Sequence, residues 1–237
     1  MSLEIALLDG LTATLIILSS VIFGSLSFIN AKKMGAKLLY YAGAMMIFIG
    51  LFWLGPFTEF LSVLLFNTNL NPKSLYGILS YVWVAPAIIV AMYLGSELLV
   101  PEKKKIIVGI YAILGVIFDI LIIFFNDQSF NYPIGPEGTG TPGVDLINGE
   151  FVRTFPTFWL VAVFLVSVLI FESFGFGLKA KQATGELRKK FVFLSVGFTV
   201  FVVCGALDSI LSLPLAIGFV RIVMATFALW MYLGLKT

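Results

Sequence analysis

The stretch 103–125, KKKIIVGIYAILGVIFDILIIFF, decides the fold. Three lysines precede 20 residues in which Asp119 is the one charge. An α-helix needs about 20 mostly apolar residues to cross the hydrocarbon of a bilayer. Six further runs of this kind lie around it. The seven predicted spans cover about 7–29, 38–66, 78–100, 106–125, 155–178, 191–212 and 214–235. They take up most of the 237 residues, so residues 1–237 read as a single seven-helix transmembrane domain. Composition agrees: 60% of residues are hydrophobic, 12% are charged, and mean hydropathy is +1.06. A soluble domain carries about 25% charge. The expected fold is all-α, a polytopic membrane protein embedded in the lipid bilayer.

The gaps after spans 1, 3 and 5 and the C-terminus hold 12 of the 15 basic residues, among them Lys32, Lys33, Lys103, Lys104, Lys105 and Lys179. By the positive-inside rule these gaps are cytoplasmic. The expected localisation is the cell membrane, with the N-terminus outside and the C-terminus cytoplasmic. The lysine clusters read as topology determinants at anionic headgroups, not as nucleic-acid sites. The first run follows Glu4 and Asp9 without a basic n-region, so it reads as a retained helix and not a signal peptide.

The chain has no histidine and one cysteine, Cys204. That removes the common ligands of haem, zinc and copper and every Ser-His-Asp or Cys-His nucleophile system. No phosphate-binding glycine loop is present. We therefore expect no enzyme, no metal and no cofactor.

The one long loop, about 126–153, lies on the external side. Its prolines Pro133, Pro136 and Pro142 stand among five glycines, which predicts an irregular, mobile segment and a candidate lid. A possible internal repeat also emerges. Gly35 and Gly55 fall over Gly185 and Gly205 at an offset of 150. Met92-Tyr93-Leu94-Gly95 in span 3 matches Met231-Tyr232-Leu233-Gly234 in span 7. Spans 1–3 and 5–7 would then form a parallel 3+1+3 repeat around span 4.

Ionisable residues inside a membrane are costly and default to functional suspects. By depth, Glu59, Asp119, Asp208 and Arg221 fall in the outer half of the bundle and form the candidate ligand-binding or ion-pair cluster. One arginine forms a fork with one carboxylate, so the remaining acids would need water, protonation or a cationic ligand. The structural alternative is an Asp208–Arg221 pair between helices. Pro56 and Pro86 each free a backbone carbonyl one turn upstream and are candidates for shaping a pocket. Glu97 and Glu172 lie near the cytoplasmic boundary, where Lys103–Lys105 and Lys179 are expected to neutralise them.

Seven spans with an outside N-terminus and short loops resemble the layout of microbial opsins and other seven-helix receptors. The segment Lys179–Arg221, a basic turn followed by an apolar helix ending in Leu207-Asp208, resembles the seven-helix sensory modules of prokaryotic histidine kinases. The retinal lysine of opsins is missing from span 7, and Arg221 does not replace it. The triplet plan is similar to small 3+1+3 sugar transporters, whose Pro-Gln signature is absent. The outer-half charge cluster, the external loop and the absence of a catalytic apparatus, together with this layout, lead us to expect a receptor-like or sensory protein. It would bind a small or lipidic ligand in its outer half and act through a cytoplasmic signalling partner. The alternatives are a small-solute or proton-coupled transporter and an assembly subunit of a membrane complex.

Overall fold

A computed structural model describes residues 3–135, 138–211 and 213–236, leaving aside the side chains of 3–6 and 214. Pro136, Ser212 and the Glu4 side chain lie outside the described residues. Among the described residues, seven helices are long and apolar enough to cross a membrane. They are span 1 (Leu7–Met34), span 2 (Lys37–Phe66), span 3 (Ser74–Leu99), span 4 (Pro101–Phe124), span 5 (Pro156–Gln182), span 6 (Gly185–Ile210) and span 7 (Leu215–Leu235). The protein is an all-α integral membrane protein built on a seven-helix bundle. Several helices outrun their apolar stretches. Span 6 starts at Gly185 instead of 191, because the Glu, Leu, Arg and Lys residues between are good helix formers.

Six spans close a ring. Span 1 packs on span 2, span 2 on span 3, span 3 on span 5, span 5 on span 6, span 6 on span 7, and span 7 on span 1. Span 4 stands outside it, against spans 3 and 5. The outward face of span 4 exposes Ile106, Ile110, Ile113, Val116 and Ile120. A continuous apolar face of this kind fits lipid, not water. Small residues let the ring close. A Cβ on Gly24 would press on the Gly43 carbonyl, and the reverse contact is equally tight, so spans 1 and 2 cross backbone to backbone.

Two faces result. One, the lysine face, carries the basic gaps; the other, the loop face, carries residues 67–73, 126–135 and 138–155. The interior towards the lysine face is packed with Met45, Met46, Met92, Phe176, Leu194 and Met231, all buried.

The long loop departs from the expected irregular segment. It contains a short helix, Asn126–Ser129, and an antiparallel hairpin of β1 (Phe130–Asn131) and β2 (Glu150–Phe151), extended by a bridge between Ile134 and Ile147. The turn glycines Gly135, Gly138 and Gly143 adopt positive φ. Phe130, Leu146 and Ile147 are buried, and these apolar residues dock the loop onto the bundle.

Four spans carry helix defects, span 7 at the turn between Met224 and Phe227. Span 2 tightens to a 3-10 turn at Leu51–Trp53, just before Pro56, which cannot donate to the Phe52 carbonyl. Span 3 breaks between Tyr81 and Val84, where Pro86 leaves the Val82 carbonyl free. Span 5 holds a π-helical turn, Val168–Phe174, with no proline to cause it.

Candidate functional site

Helical spacing builds one cavity between the spans. Val84, Ala87, Ile88 and Ala91 repeat on one face of span 3. Phe158, Val161, Phe164, Leu165 and Val168 do so on span 5, and Phe198, Phe201, Gly205 and Asp208 on span 6. These faces, with Phe52, Trp53 and Pro56 of span 2, enclose about 480 Å³. That volume is within the range of small-ligand pockets, about 300–1,000 Å³. Towards the loop face the lining includes Tyr76, Arg221 and the segment Asn148–Phe151, so β2 forms part of the mouth. Glu150 and Arg153, both exposed, mark where the cavity reaches that face. A Cβ built on Gly205 would meet nothing within 4 Å, so this glycine leaves the span 6 wall open.

The floor is apolar and includes Ala91, Val168 and Phe198. The walls are aromatic: Phe52 packs against Trp53 and Phe201, and Tyr81 stacks on Phe130 with Phe151 at its edge. Such a surface takes an apolar body.

The polar end is an ion cluster. Arg221 is buried, its Nε donates to Asp208 Oδ1 at 2.7 Å, and its Nη1 donates to Asp9 Oδ1 at 2.5 Å. Two carboxylates on one guanidinium give the cluster a formal charge of −1 (−2 + 1). Spans 1, 6 and 7 are thereby tied together at the loop face. The Ser19 hydroxyl donates to the Ala225 carbonyl at 2.6 Å and fastens spans 1 and 7 one level deeper. Asp208 and Arg221 line the cavity. Asp9 escaped the sequence reading because it was placed outside the membrane with the other acids. Its position early in span 1, level with an arginine early in span 7, was the available signal.

The other two members of the expected cluster are elsewhere. Glu59 is fully buried at the loop-face end of span 2. It accepts from Asn69 Nδ2 at 2.5 Å, from the Leu70 amide at 2.8 Å and from the Ile147 amide at 3.1 Å. Asn69 itself bonds the Asp145 carbonyl and the Gly143 amide. Glu59 therefore pins both loops of that face to span 2 and is not part of the cavity lining. Asp119 lies on span 4, outside the ring and away from the cavity; its Oδ1 has no hydrogen-bond partner among the described residues. Of the two prolines, Pro56 lines the cavity and Pro86 does not. Gly55 beside Pro56 accepts no side chain, because a Cβ there would collide with Ser80 and the Tyr76 carbonyl.

At the lysine face, Glu97 pairs with Lys104 at 2.5 Å. Glu172 has no such partner. It is fully buried in the π turn of span 5, and neither carboxyl oxygen has a hydrogen-bond partner among the described residues. The expected neutralisation by lysine fails because the side chain points into the bundle, against Gly95 of span 3, instead of towards the basic gap.

No group of three or more potential metal ligands occurs among the described residues. Compared with known proteins, the chain matches no family model and has no significant match among curated proteins.

Proposed function

We propose that this is a receptor-like or sensory membrane protein, not an enzyme, that binds a small or lipidic ligand through the cavity and acts on a separate cytoplasmic partner. The loop face is then the outside, as the lysine distribution argues. The observation that carries the reading is a cavity of about 480 Å³ with an aromatic body, a charged mouth and an apolar floor. An amphipathic ligand would lay its apolar part against Trp53, Phe164 and Phe201 and its polar end near Asp208 and Arg221. The methionine and phenylalanine packing towards the lysine face supports sensing over passage, because Met45, Met46, Met92, Phe176 and Met231 fill most of the interior there.

Native mass spectrometry of the protein extracted from its own membrane tests this. Wild type is expected to retain a bound amphiphile. Gly205→Trp fills the cavity from an open wall position and is expected to release it. A variant that keeps the same bound mass overturns the reading.

A second reading, a small-solute transporter, is favoured by the ring itself. Turning the order 1-2-3-5-6-7 by half a circle puts spans 1–3 on spans 5–7, the relation a parallel repeat would leave. Gly35 and Gly185 also share positive φ before spans 2 and 6. Solute uptake into liposomes across a panel, with and without a pH gradient, separates the two readings.

A further inference from the structure

The cavity does not use Glu172, a buried acid whose two oxygens lack a hydrogen-bond partner among the described residues. The Ser173 hydroxyl beside it is buried and unpaired too. Two features of the chain make this position. The π turn Val168–Phe174 sets the direction of the side chain; such turns recur at functional sites. Gly95 provides the room, since a Cβ there would collide with the Glu172 carboxyl.

Depth links the acid to the cavity. Ala91 and Val168 both line its floor. Gly95 and Glu172 each follow four residues later, one helical turn nearer the lysine face, about 5–6 Å below. The carboxyl is therefore separated from the cavity by a single layer of side chains.

The surroundings hold nothing to balance a charge. Spans 3 and 6 and the rest of span 5 pack on the π turn. Their titratable groups are engaged or distant: Glu97 bonds Lys104, Glu186 bonds Lys189, and Asp208 bonds Arg221. Tyr76, Tyr81 and Cys204 lie on the loop-face side of the floor, and Tyr93 lies against Lys104. Lys179, Lys181, Arg188 and Lys190 belong to the basic gap. None of these bonds a Glu172 oxygen. An ionised carboxylate without donor or counter-ion is costly inside a membrane, whereas the neutral acid is tolerated.

We propose that Glu172 is a reversible proton-binding site of the membrane interior, reached from the cavity through the floor at Ala91 and Val168. The resting conformation holds the neutral acid. The proton leaves when the floor or the π turn shifts and admits water. A metal ion fits less well, because hard cations gather about six oxygens and no group of three or more potential metal ligands occurs among the described residues. This inference goes beyond the receptor reading and needs no ligand in the cavity.

Dicyclohexylcarbodiimide tests it. The reagent adds to protonated carboxylic acids in apolar surroundings, and the adduct is located by mass spectrometry. The full chain in lipid nanodiscs is treated over an acid-to-alkaline series, with and without sodium. The expected result is a label on Glu172 at acid pH, lost as pH rises and unaffected by sodium. Glu172→Gln is expected to lose the label there with its fold intact by circular dichroism. If that variant does not fold, the wild-type series still decides. Absence of label at every pH overturns the proposal, and so does a label equal at every pH, which marks a permanently protonated structural acid. Protection by sodium overturns it in favour of a metal cation. None of these outcomes depends on whether a bound amphiphile is found, so the failure of one reading leaves the other standing.

Discussion

Glu59 and Glu172 are equally buried and differ in everything that surrounds them. Glu59 has three donors, two of them backbone amides from different loops. Glu172 has none. Both sit in spans, both are glutamates, and burial alone does not tell them apart. The donors do. A carboxylate that collects amides is a structural clamp, because its charge is dispersed over hydrogen bonds. A carboxyl that collects nothing destabilises the fold, and its position needs a reason other than stability. The two residues therefore answer opposite questions: how the loop face is held, and where the interior keeps an acid without a donor among the described residues.

The sharpest way to break the comparison is to remove the clamp. Glu59→Ala leaves the Asn69 side chain and the Leu70 and Ile147 amides without their acceptor. Hydrogen bonds to a charged group are worth about 1.5–3 kcal/mol each. Because the freed donors regain some contact with water near the face, we expect a loss of about 4 kcal/mol. Thermal unfolding in detergent measures the loss. Hydrogen exchange at 67–73 and 141–147 should rise well before the spans exchange. A variant as stable as wild type would show that the loops hold themselves.

How much of this was legible follows from where each interaction partner lies in the chain. The seven spans were readable because the bilayer demands long apolar runs, and each run carries that demand locally. The Asp208–Arg221 pair was readable as a structural possibility from depth, since both residues lie at the same end of adjacent spans. Asp9 was missed because it was counted with the external acids, although the first predicted span, 7–29, already contains it. The surroundings of the two glutamates were not legible. Glu59 was grouped with the ligand-binding candidates, and Glu172 with the lysine-neutralised ones. The donors of Glu59 are mostly backbone amides brought in by loop folding, and the amide of residue 147 leaves no mark in the side-chain sequence. The π turn that buries Glu172 adds one residue to the helical period, which a periodicity count over an all-apolar run cannot register. The hairpin was hidden by its glycines and prolines, which signal turns without showing that Phe130, Leu146 and Ile147 anchor them.

A smaller effect is expected on the other side of the comparison. Gly95→Ala drives a methyl group into the Glu172 carboxyl. Overpacking of this kind costs about 1–3 kcal/mol, and we expect about 2 kcal/mol here, because the π turn can yield part of the way. The cost should fall to near zero in a Glu172→Ala background, since the colliding atoms are gone. A double-mutant cycle by thermal unfolding reads this coupling. Equal costs in both backgrounds would place the strain on the span 3 backbone and dissolve the link between Gly95 and the acid.

The smallest effect has the opposite sign and bears most directly on the comparison. Glu172→Met keeps the volume of the side chain and removes two buried oxygens that have no partner. Polar groups buried without hydrogen bonds cost about 1–3 kcal/mol in proteins. Methionine is flexible enough to fill the space beside Gly95. Part of the gain is offset by imperfect packing in the π turn, so we expect stabilisation of about 1 kcal/mol. The same replacement at Glu59 is expected to destabilise, because there it strands three donors. Thermal unfolding of the two variants side by side decides the matter. A gain at position 172 together with a loss at 59 shows that the chain keeps Glu172 against its own stability, as a group retained for exchange must be. A loss at both positions would mean that Glu172 has a partner in the membrane, and the distinction between clamp and exchange site would fall.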